Sequence, residues 1–506
     1  MLLSMCAVAA CGGDDGGTGS VELFVREVMP AEGATEVELD STVSVIFNQA
    51  IDPESADGAV ALEGVSAIVA VDQNIVTLTP DAPFDFLTEV RVTVGTGVRG
   101  LVGGDTLDAA ETYTFTSRAR RWSAPGSIGT SPAPNLLVPA ASQLAAGPDG
   151  RVLALWQTAP ASDDVHLEWS AYDPASDSWR AADELATATR DMEPRLASDG
   201  NGNLLVAWID GALSVRVAWI DPATGAVDIP DPLYVADSGA SGLALAMSRS
   251  GDAAIAYRTF DSLQVSRYLG ASGAWVPGET VGPPNADRTA LAVTDGGEVT
   301  AAWSDFDRRI LQASSFDGAS WSTVEPLWDG ADGTIDRVRL QPLPSGDVAA
   351  AWGILASGGG EIHVRLRDAV TGWDDDEVLG TTPAGTAESW PELAIGPGGD
   401  ILLTWAQPNS FGERGLFARW FRGGWQDTVT ITQRIAFQHP VAIDADGNAV
   451  TVDHDGNAHY YRADRDEWIE SHHGLGDSGG IAVGLAGVDP VVMSGADGKI
   501  RVSMYR

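Results

Sequence analysis

A unit of about fifty residues repeats along the 506-residue chain, and an aromatic residue marks the end of an apolar segment in each copy. Successive marker residues are separated by 52, 49, 46, 49 and 53 residues, a spacing too regular for chance. Repeats of this length predict an architecture in which each unit buries its apolar face against the next unit. The marker residues are Trp156, Trp208, Tyr257, Trp303, Trp352 and Trp405.

Each repeat has the pattern of a four-stranded antiparallel sheet. In the sixth unit, an apolar segment (391–395) runs through a Gly/Asp turn into a second segment (401–405), which predicts a hairpin. A third strand at 416–420 and a fourth strand opened by Trp425 follow. Four such strands per unit predict a propeller blade, and we expect the regularly spaced Trp residues to pack between blades. The equivalent fourth-strand residues are Trp179, Trp275, Trp321, Trp373 and Trp468.

The two ends of the repeat region predict how the ring closes. A seventh unit (441–468) carries Asp453 at the marker position, and an eighth begins near Gly480 but reaches the C-terminus after three strands. Residues 121–125, which contain Trp122, look like a fourth strand placed before the first repeat. Pairing this segment with the last unit leaves no open sheet edge. We therefore predict eight blades with a composite last blade, and seven blades as the alternative.

Residues 21–118 alternate in polarity like short strands separated by turn residues, which predicts a β-sandwich. The segment resembles the bacterial Ig-like domain of the type found in S-layer proteins. That resemblance implies a spacer or adhesion module and supplies no catalytic residues. It is carried by Val28-Met-Pro30 with Gly33-Ala34, by Phe47-Asn48 with Ile51, and by Tyr113-Thr-Phe-Thr116.

The N-terminus has the features of an export signal. A short apolar run ends in Val8-Ala9-Ala10-Cys11, which resembles the lipobox of bacterial lipoproteins and implies lipidation of Cys11. Both cysteines lie in the first eleven residues, so the body of the protein has no disulfide framework. We expect a signal at 1–11, a flexible tether at 12–20, the Ig-like domain at 21–118 and the propeller at 119–506. The expected location is the bacterial cell envelope, at the outer membrane or the cell surface.

The net charge of −41 narrows the choice of partners. Such an acidic chain repels phosphate backbones and anionic membrane surfaces, so nucleic acid is not expected as a partner. No stretch outside the signal approaches the length of apolar sequence that spans a bilayer. The predicted membrane association is therefore through the lipid anchor alone, and the predicted ligand is a glycan or a protein.

Charged residues cluster where a propeller gathers its loops around the central channel. One group falls in the loops between second and third strands: Asp163, Asp164, Asp210, Asp261, Asp305, Asp307, Arg308, Glu413 and Arg414. A second group, Arg190, Arg288 and Arg337, precedes the first strands of three blades. Three convergent guanidinium groups could clamp a carboxylated sugar, but repeats copy structural features, which favours repeated ion pairs between blades as their explanation.

Residues 315–321 (Ser-Phe-Asp-Gly-Ala-Ser-Trp) resemble the Asp-box turn of sialidases, which implies a sialidase-like propeller. The segment is one residue shorter than that motif and occurs in this form in one blade only. The Arg-Ile-Pro segment of the family's N-terminal arginine site has no counterpart in the chain. Sialidase activity therefore does not follow from the resemblance.

Calcium is the one metal that the sequence leaves open. Oxygen-bearing side chains two residues apart occur at Asp444, Asp446, Asn448, Asp453 and Asp455, as in calcium loops. The late Glu of an EF-hand loop does not follow them, and hairpin turns favour the same residue types. We predict no other cofactor.

The sequence favours noncatalytic recognition of a glycan or protein by a propeller presented on an Ig-like stalk. It contains no nucleophile elbow and no phosphate-binding Gly loop ahead of a helix. Two alternatives remain. One is a carbohydrate-active enzyme, either a sialidase-like glycoside hydrolase or a polysaccharide lyase, and the other is a scaffold for an envelope complex.

Overall fold

The chain divides into two compact units, Met1–Arg120 and Arg121–Arg506. The computed structural model describes residues 22–130, 143–158, 164–189, 192–235, 239–330, 333–381, 390–408, 414–433, 439–453, 457–472, 481–486, 489–496 and 499–506. Strands dominate both units, as the sequence predicts. None of the helices among the described residues has the length and apolar character that a membrane crossing requires.

The first unit is a sandwich of two four-stranded sheets, with strand orders β1-β3-β6-β5 and β2-β8-β7-β4. Alternate residues of its strands, such as Val43, Val45 and Phe47, are fully buried and form one core between the sheets. This confirms the predicted Ig-like sandwich. Its elements are β1 (Val25–Met29), β2 (Ala34–Val37), β3 (Val43–Phe47), α1 (Pro53–Ala56), β4 (Val60–Leu62), β5 (Ala67–Asp72), β6 (Ile75–Pro80), β7 (Glu89–Val94) and β8 (Glu111–Ser117).

The second unit contains eight antiparallel sheets, one for each predicted blade. Strand β9 (Gly126–Thr130) comes first in the chain. Blade 1 comprises β10 (Gln143–Ala146), β11 (Val152–Thr158), β12 (Val165–Asp173), β13 (Ser178–Trp179) and β14 (Asp183–Ala188). Blade 2 comprises β15 (Arg195–Ser198), β16 (Leu204–Ile209), β17 (Val215–Ile220) and β18 (Val227–Asp228). Blade 3 comprises β19 (Ser241–Met247), β20 (Ala253–Arg258), β21 (Leu263–Leu269) and β22 (Ala274–Gly282).

The remaining blades have the same strand order. Blade 4 comprises β23 (Asp287–Val293), β24 (Val299–Ser304), β25 (Leu311–Phe316) and β26 (Glu325–Trp328). Blade 5 comprises β27 (Thr334–Pro342), β28 (Val348–Ala356), β29 (Gly359–Asp368), β30 (Gly372–Trp373) and β31 (Glu377–Thr381). Blade 6 comprises β32 (Trp390–Ile395), β33 (Ile401–Pro408), β34 (Arg414–Phe421) and β35 (Val429–Thr432). Blade 7 comprises β36 (Val441–Ile443), β37 (Ala449–Val452), β38 (Asn457–Arg462) and β39 (Glu467–His472). Blade 8 comprises β40 (Ile481–Ala486), β41 (Asp489–Ala496) and β42 (Lys499–Met504), completed by β9.

The first strands of the eight blades form a closed inner ring, because each contacts the first strand of the next blade and β40 contacts β10. Strand β9 pairs with β42, so the last blade is composite. This confirms the predicted closure, with the paired strand a few residues beyond the predicted segment. Trp122 itself forms a single bridge to Tyr505, and the centres of their rings lie 5.2 Å apart.

The second strands are the most buried part of each blade. Every residue of β16 and of β24 is buried, because neighbouring blades cover both faces of these strands. Strands covered on both faces read as continuous apolar runs rather than alternating ones. This is why the repeat is visible in the sequence as a series of apolar segments that end in an aromatic residue.

The marker aromatics fill the space between blades, where no more than 3% of each side chain surface is exposed. Three of them face a glycine in the last strand of the preceding blade, and a Cβ atom added there would collide with the ring. The added atom would lie 2.6 Å from Trp156 Cζ2 at Gly129, 2.9 Å from Trp303 Cε2 at Gly282, and 3.0 Å from Trp405 Nε1 at Gly380. The indole rings therefore need glycine as their neighbour.

The Trp residues that follow the third strands behave differently, because most stack on an aromatic residue of their own blade. Ring centres lie 5.2 to 5.7 Å apart in these pairs. These Trp residues also contact the neighbouring blade: Trp275 packs in a cluster that joins blades 2 and 3, and Trp321 Nε1 donates to Glu279 Oε2 of blade 3 over 3.2 Å. The expectation that regularly spaced Trp residues pack between blades therefore holds for them as well. The pairs are Trp179–Tyr172, Trp275–Tyr268, Trp321–Phe316, Trp425–Phe421, Trp468–Tyr461 and Trp122–Tyr505.

We predict that Gly282→Ala destabilises the propeller by about 1–3 kcal/mol, because the new methyl group overpacks the contact with Trp303. Chemical denaturation followed by tryptophan fluorescence measures this, since all 17 Trp residues lie in the second unit. The matched control is Gly398→Ala, where an added Cβ has no atom within 4 Å. Equal stability of the two variants would contradict the proposed role of the glycine.

Candidate functional site

A cavity of ≈ 580 Å³ lies within the inner ring of the propeller. Its walls come from the N-terminal ends of the first strands. The loops between second and third strands lie on the same face of the propeller. Charged side chains dominate this wall, with five arginines against three carboxylates. They are Arg195, Arg258, Arg288, Arg337, Arg339, Asp287, Asp336 and Glu392.

A bulge at the same place in three first strands places residues on the cavity wall. Each of β19, β23 and β27 has one residue more than its partner strand there. The bulged stretches include Gly242, Arg288 and Arg337, and all three line the cavity. A bulge re-aims side chains that a regular pleat would point elsewhere, which makes it a common device beside binding sites.

Arg288 has a left-handed backbone conformation with φ of 45°, as does Gly242 at the equivalent position with φ of 68°. This conformation is free for glycine but costs another residue about 1–2 kcal/mol. Arg288 therefore occupies a position whose backbone conformation favours glycine. Strain of this kind points to a role for the side chain rather than for the fold.

An ion-pair network occupies one side of the cavity. Arg339 Nε and Nη2 donate to the two oxygens of Glu392 over 2.6 and 2.8 Å, and Arg337 Nη1 donates to Glu392 Oε1 over 2.7 Å. Arg337 also lies over the ring of Trp390, 5.0 Å from its centre. Because Glu392 comes from the next blade, the network joins blades 5 and 6 as well as lining the cavity.

The two guanidinium groups control the ionisation of Glu392. Burial on its own favours the neutral acid, but the charges and hydrogen bonds of Arg339 and Arg337 outweigh it and lower the pKa of Glu392 to about 2. Burial lowers the pKa of Arg337, whereas the attraction of Glu392 outweighs burial at Arg339 and raises its pKa. The carboxylate is therefore ionised throughout the physiological range.

Arg288 and Arg258 have no carboxylate partner at this close range among the described residues. Arg288 Nη2 lies 3.9 Å from Asp336 Oδ1, and 42% of the Arg288 side chain is exposed. Arg258 donates to neutral groups, the carbonyl of Ala286 over 3.0 Å and the hydroxyl of Ser241 over 3.1 Å. These guanidinium groups keep donors for a ligand, since one arginine carries five N–H groups.

His439 closes the wall beside Glu392. Its side chain is buried, and neither ring nitrogen has a hydrogen-bond partner of normal geometry within the described parts of the chain. Burial lowers the pKa of His439 to about 4, with the arginine charges adding to the effect and Glu392 opposing it. The imidazole is therefore neutral at pH 7 and adds no positive charge to the cavity.

Of the three arginines singled out in the sequence, Arg288 and Arg337 lie together at the cavity, and Arg190 lies outside the described residues. Sequence reasoning missed Arg195, Arg339 and Glu392. These three pair with Ala207, Ala351 and Thr404, the residues immediately before the marker tryptophans. This shared position could have been found from the sequence by pairing the first and second strands of each blade as a hairpin and reading which residue lies opposite the one before the marker.

The predicted loop carboxylates that the structure describes do not line the cavity. Those of Asp210 and Asp305 accept hydrogen bonds from amides of their own turns, and Asp261 and Asp307 are exposed. Asp164 precedes β12, and Arg308 lies in the same turn as Asp305. Asp163 and Glu413 lie outside the described residues, as does the side chain of Arg414 at the start of β34.

The proposed calcium loops are hairpin turns whose oxygens already accept hydrogen bonds. Asp444 accepts from the amides of Asp446 and Asn448 and from the side chain of Asn448. Asp453, at the marker position of blade 7, accepts from Asn457 and lies 3.1 Å from His459. No group of three or more metal-ligating side chains occurs among the described residues. Asp455 lies outside them.

The segment that resembles an Asp-box forms a tight turn after β25. Asp317 Oδ1 accepts from the amides of Ala319 and Ser320, both over 2.9 Å, and Phe316 bridges to Trp321. This turn joins the third strand to the fourth, so it lies at the opposite ends of the strands from the cavity. Its role is to form a turn, and it contributes nothing to the cavity wall.

We predict that the Glu392 carboxylate stabilises the propeller by on the order of 3 kcal/mol at neutral pH, from the fall of its pKa from 4.5 to about 2. A lowered folded-state pKa gives stability that is present above the unfolded pKa and is lost as pH falls through the folded pKa. The advantage of wild type over Glu392→Gln should therefore be constant above about pH 5 and shrink towards pH 2.

Denaturation followed by tryptophan fluorescence at a series of pH values measures this difference. The control is Glu325→Gln, whose exposed carboxylate lies on β26 outside the cavity. A wild-type advantage that does not change between pH 5 and pH 2 would show that the ion pair contributes no such stability.

The chain is similar to several solved structures and, over part of its length, to one protein family. Similar solved structures include the BP39L lectin from Burkholderia pseudomallei (15% identity, 65% of this chain and 99% of that chain, TM-score 0.46) and the Dos1 propeller (13%, 76% and 95%, 0.48). AofleA from Arthrobotrys oligospora is also similar (13%, 62% and 91%, 0.37). No curated protein sequence matches the chain. Residues 20–117 match the family profile of the bacterial Ig-like domain.

Proposed function

We propose that the propeller binds a carboxylated sugar in the arginine-lined cavity and leaves it chemically unchanged. The observation that carries this proposal is the excess of arginine over carboxylate at the cavity wall. The whole chain has 71 acidic and 30 basic residues, so its average surface has the opposite sign. A local concentration of guanidinium groups in such a chain favours an anionic ligand.

The chemistry of the wall suits a carboxylate in particular. The planar guanidinium fork matches the two oxygens of a carboxylate and binds them through paired hydrogen bonds. Arg339 makes this contact within the protein, with Glu392 over 2.6 and 2.8 Å, and the partly exposed guanidinium of Arg288 offers the same fork to a ligand. A volume of ≈ 580 Å³ is also in the range of sites that hold small molecules.

The ionisation of Glu392 argues against its acting as the proton donor of a glycoside hydrolase. Glycoside hydrolysis needs a carboxylic acid whose raised pKa lets it donate a proton near neutral pH. The pKa of Glu392 is lowered instead, to about 2, because two arginines stabilise its carboxylate form. Both of its oxygens already accept hydrogen bonds from Arg337 and Arg339.

We predict that Arg288→Gly weakens binding of a uronate by roughly tenfold to a hundredfold, the range expected for a lost charged hydrogen bond. The same change relieves the left-handed strain at this position, so folding stability should stay equal or rise. Isothermal titration calorimetry with galacturonate, glucuronate, mannuronate and N-acetylneuraminate, against neutral galactose and glucose, measures the binding.

The matched control is Arg249→Ala, an exposed arginine in the hairpin turn between β19 and β20, away from the cavity. If no acidic sugar binds more tightly than the neutral sugars, the proposal is wrong. Product analysis with glycosidically linked substrates, namely uronate trimers and sialosides, tests the enzymatic alternatives, since a hydrolysed or unsaturated product would replace recognition with hydrolysis or elimination.

We further propose that this binding unit is held at the bacterial cell envelope by a lipid on Cys11. The support is the sequence Val8-Ala9-Ala10-Cys11 and the Gly/Asp-rich tether after it, all outside the described residues. A diacylglycerol with an amide-linked chain would provide the two-chain anchoring that stable membrane attachment requires. The bacterial Ig-like domain would then separate the propeller from the membrane.

Replacing the lipidated residue tests the anchor. We expect Cys11→Ala to abolish incorporation of labelled palmitate and to move the protein from the membrane fraction to the soluble fraction. Cys6→Ala is the control and should change neither, since this residue precedes the proposed cleavage site. Labelling that persists in Cys11→Ala would rule out lipidation at this residue.

A further inference from the structure

Two phenylalanines are exposed on the propeller in a way that its other aromatic residues are not. Phe260 is 76% exposed and Phe306 is 67% exposed. Every other aromatic side chain that the structure describes in the propeller is buried or half-buried. Single exposed apolar residues are ordinary, so exposure alone would not distinguish these two.

Their positions distinguish them, because the two residues are equivalent in neighbouring blades. Phe260 follows the marker residue Tyr257 by three positions, and Phe306 follows the marker Trp303 by three positions. Each lies in the turn between the second and third strands, and each is followed by an aspartate. Blades 3 and 4 therefore present the same exposed aromatic group at the same place.

Both turns are held in one conformation by their own hydrogen bonds. In blade 3, the Thr259 amide donates to the carbonyl of Ser262 over 2.8 Å. In blade 4, Asp305 Oδ1 accepts from the amides of Arg309 and Ile310 over 2.6 and 2.9 Å. Aromatic rings on preorganised turns bind with little loss of backbone entropy.

Both turns are connected to the cavity wall, the blade 4 turn through a backbone hydrogen bond and the blade 3 turn through the nearby side chain of Arg258. The carbonyl of Arg308, two residues after Phe306, accepts from the amide of Ile335 over 2.7 Å. Ile335 directly precedes Asp336, which lines the cavity. In blade 3, the cavity residue Arg258 lies two positions before Phe260 and donates to the carbonyl of Ala286, another cavity residue.

The spacing of blades sets the size of ligand that both rings would contact. Sheets pack about 10 Å apart, so equivalent turns of neighbouring blades are separated by more than the width of one sugar ring. Exposed aromatic faces bind the apolar C–H faces of sugars by excluding water from both surfaces. The arginines at the cavity supply the complementary charge for a carboxylate on the same ligand.

We propose that Phe260 and Phe306 extend the cavity into a binding surface for a chain of sugars, with one carboxylated unit in the cavity and its neighbours over the two rings. This inference rests on the proposed function and specifies its ligand as an acidic oligosaccharide or polysaccharide. A single monosaccharide would occupy the cavity and leave both phenylalanines uncovered.

Binding of monomers and trimers of galacturonate, glucuronate and mannuronate to the full chain tests the proposal by calorimetry. We expect the trimer of a bound uronate to bind roughly tenfold more tightly than its monomer. The double variant Phe260→Ala with Phe306→Ala should lose this gain and keep the monomer affinity of wild type. The control is Val370→Ala, 92% exposed in the turn between β29 and β30 at the other ends of the strands.

The outcomes separate the two proposals. A monomer that binds as tightly as its trimer overturns the extended surface and leaves the cavity function standing. A double variant that keeps the trimer gain also overturns the extended surface, and the phenylalanines would then suit a protein partner instead. Absence of binding by every monomer and trimer overturns both proposals. Loss of monomer affinity in the double variant overturns the proposal that the cavity alone binds the monomer while the two phenylalanines bind its neighbours.

Discussion

The contact between a marker aromatic and the preceding blade is the interaction on which the rest of the propeller depends. Trp303 and Trp405 fill the space between sheets only because Gly282 and Gly380 have no side chain there. The same contact closes the ring, since Gly129 of β9 faces Trp156 of blade 1. The composite last blade therefore joins the two ends of the propeller through both strand pairing and side-chain packing.

The closed ring creates the cavity and decides its chemistry. It brings the beginnings of first strands together, where bulges carry Arg288 and Arg337 onto the wall. Arginines gathered in this way repel one another, and Glu392 offsets part of that repulsion while it joins two blades. Five arginines against three carboxylates at the wall give an acidic protein a local preference for anions, which is the basis of the proposed recognition of acidic sugars.

The candidate site was only partly predictable from the sequence. Arg288 and Arg337 stood out because each precedes a first strand and follows an aspartate. Arg339 and Glu392 lie inside strands, where an alternating pattern does not show which polar residues face the channel. The loop aspartates were predicted as ligand-binding residues but have a structural role. Asp210 and Asp305 accept hydrogen bonds from the amides of their own turns, which the sequence pattern does not show.

The sequence by itself determined the repeat of four-stranded blades, the sandwich before them and the closure by a segment ahead of the first repeat, and it favoured eight blades over seven. These features depend on local periodicity and on the burial of strands between sheets, and both produce patterns of apolar residues that are visible in the sequence. Only the tertiary structure decided which charges meet at the cavity. That choice depends on strand register, on bulges at Arg288 and Arg337, and on Glu392 from the next blade, contacts between residues that lie about fifty positions apart in the chain.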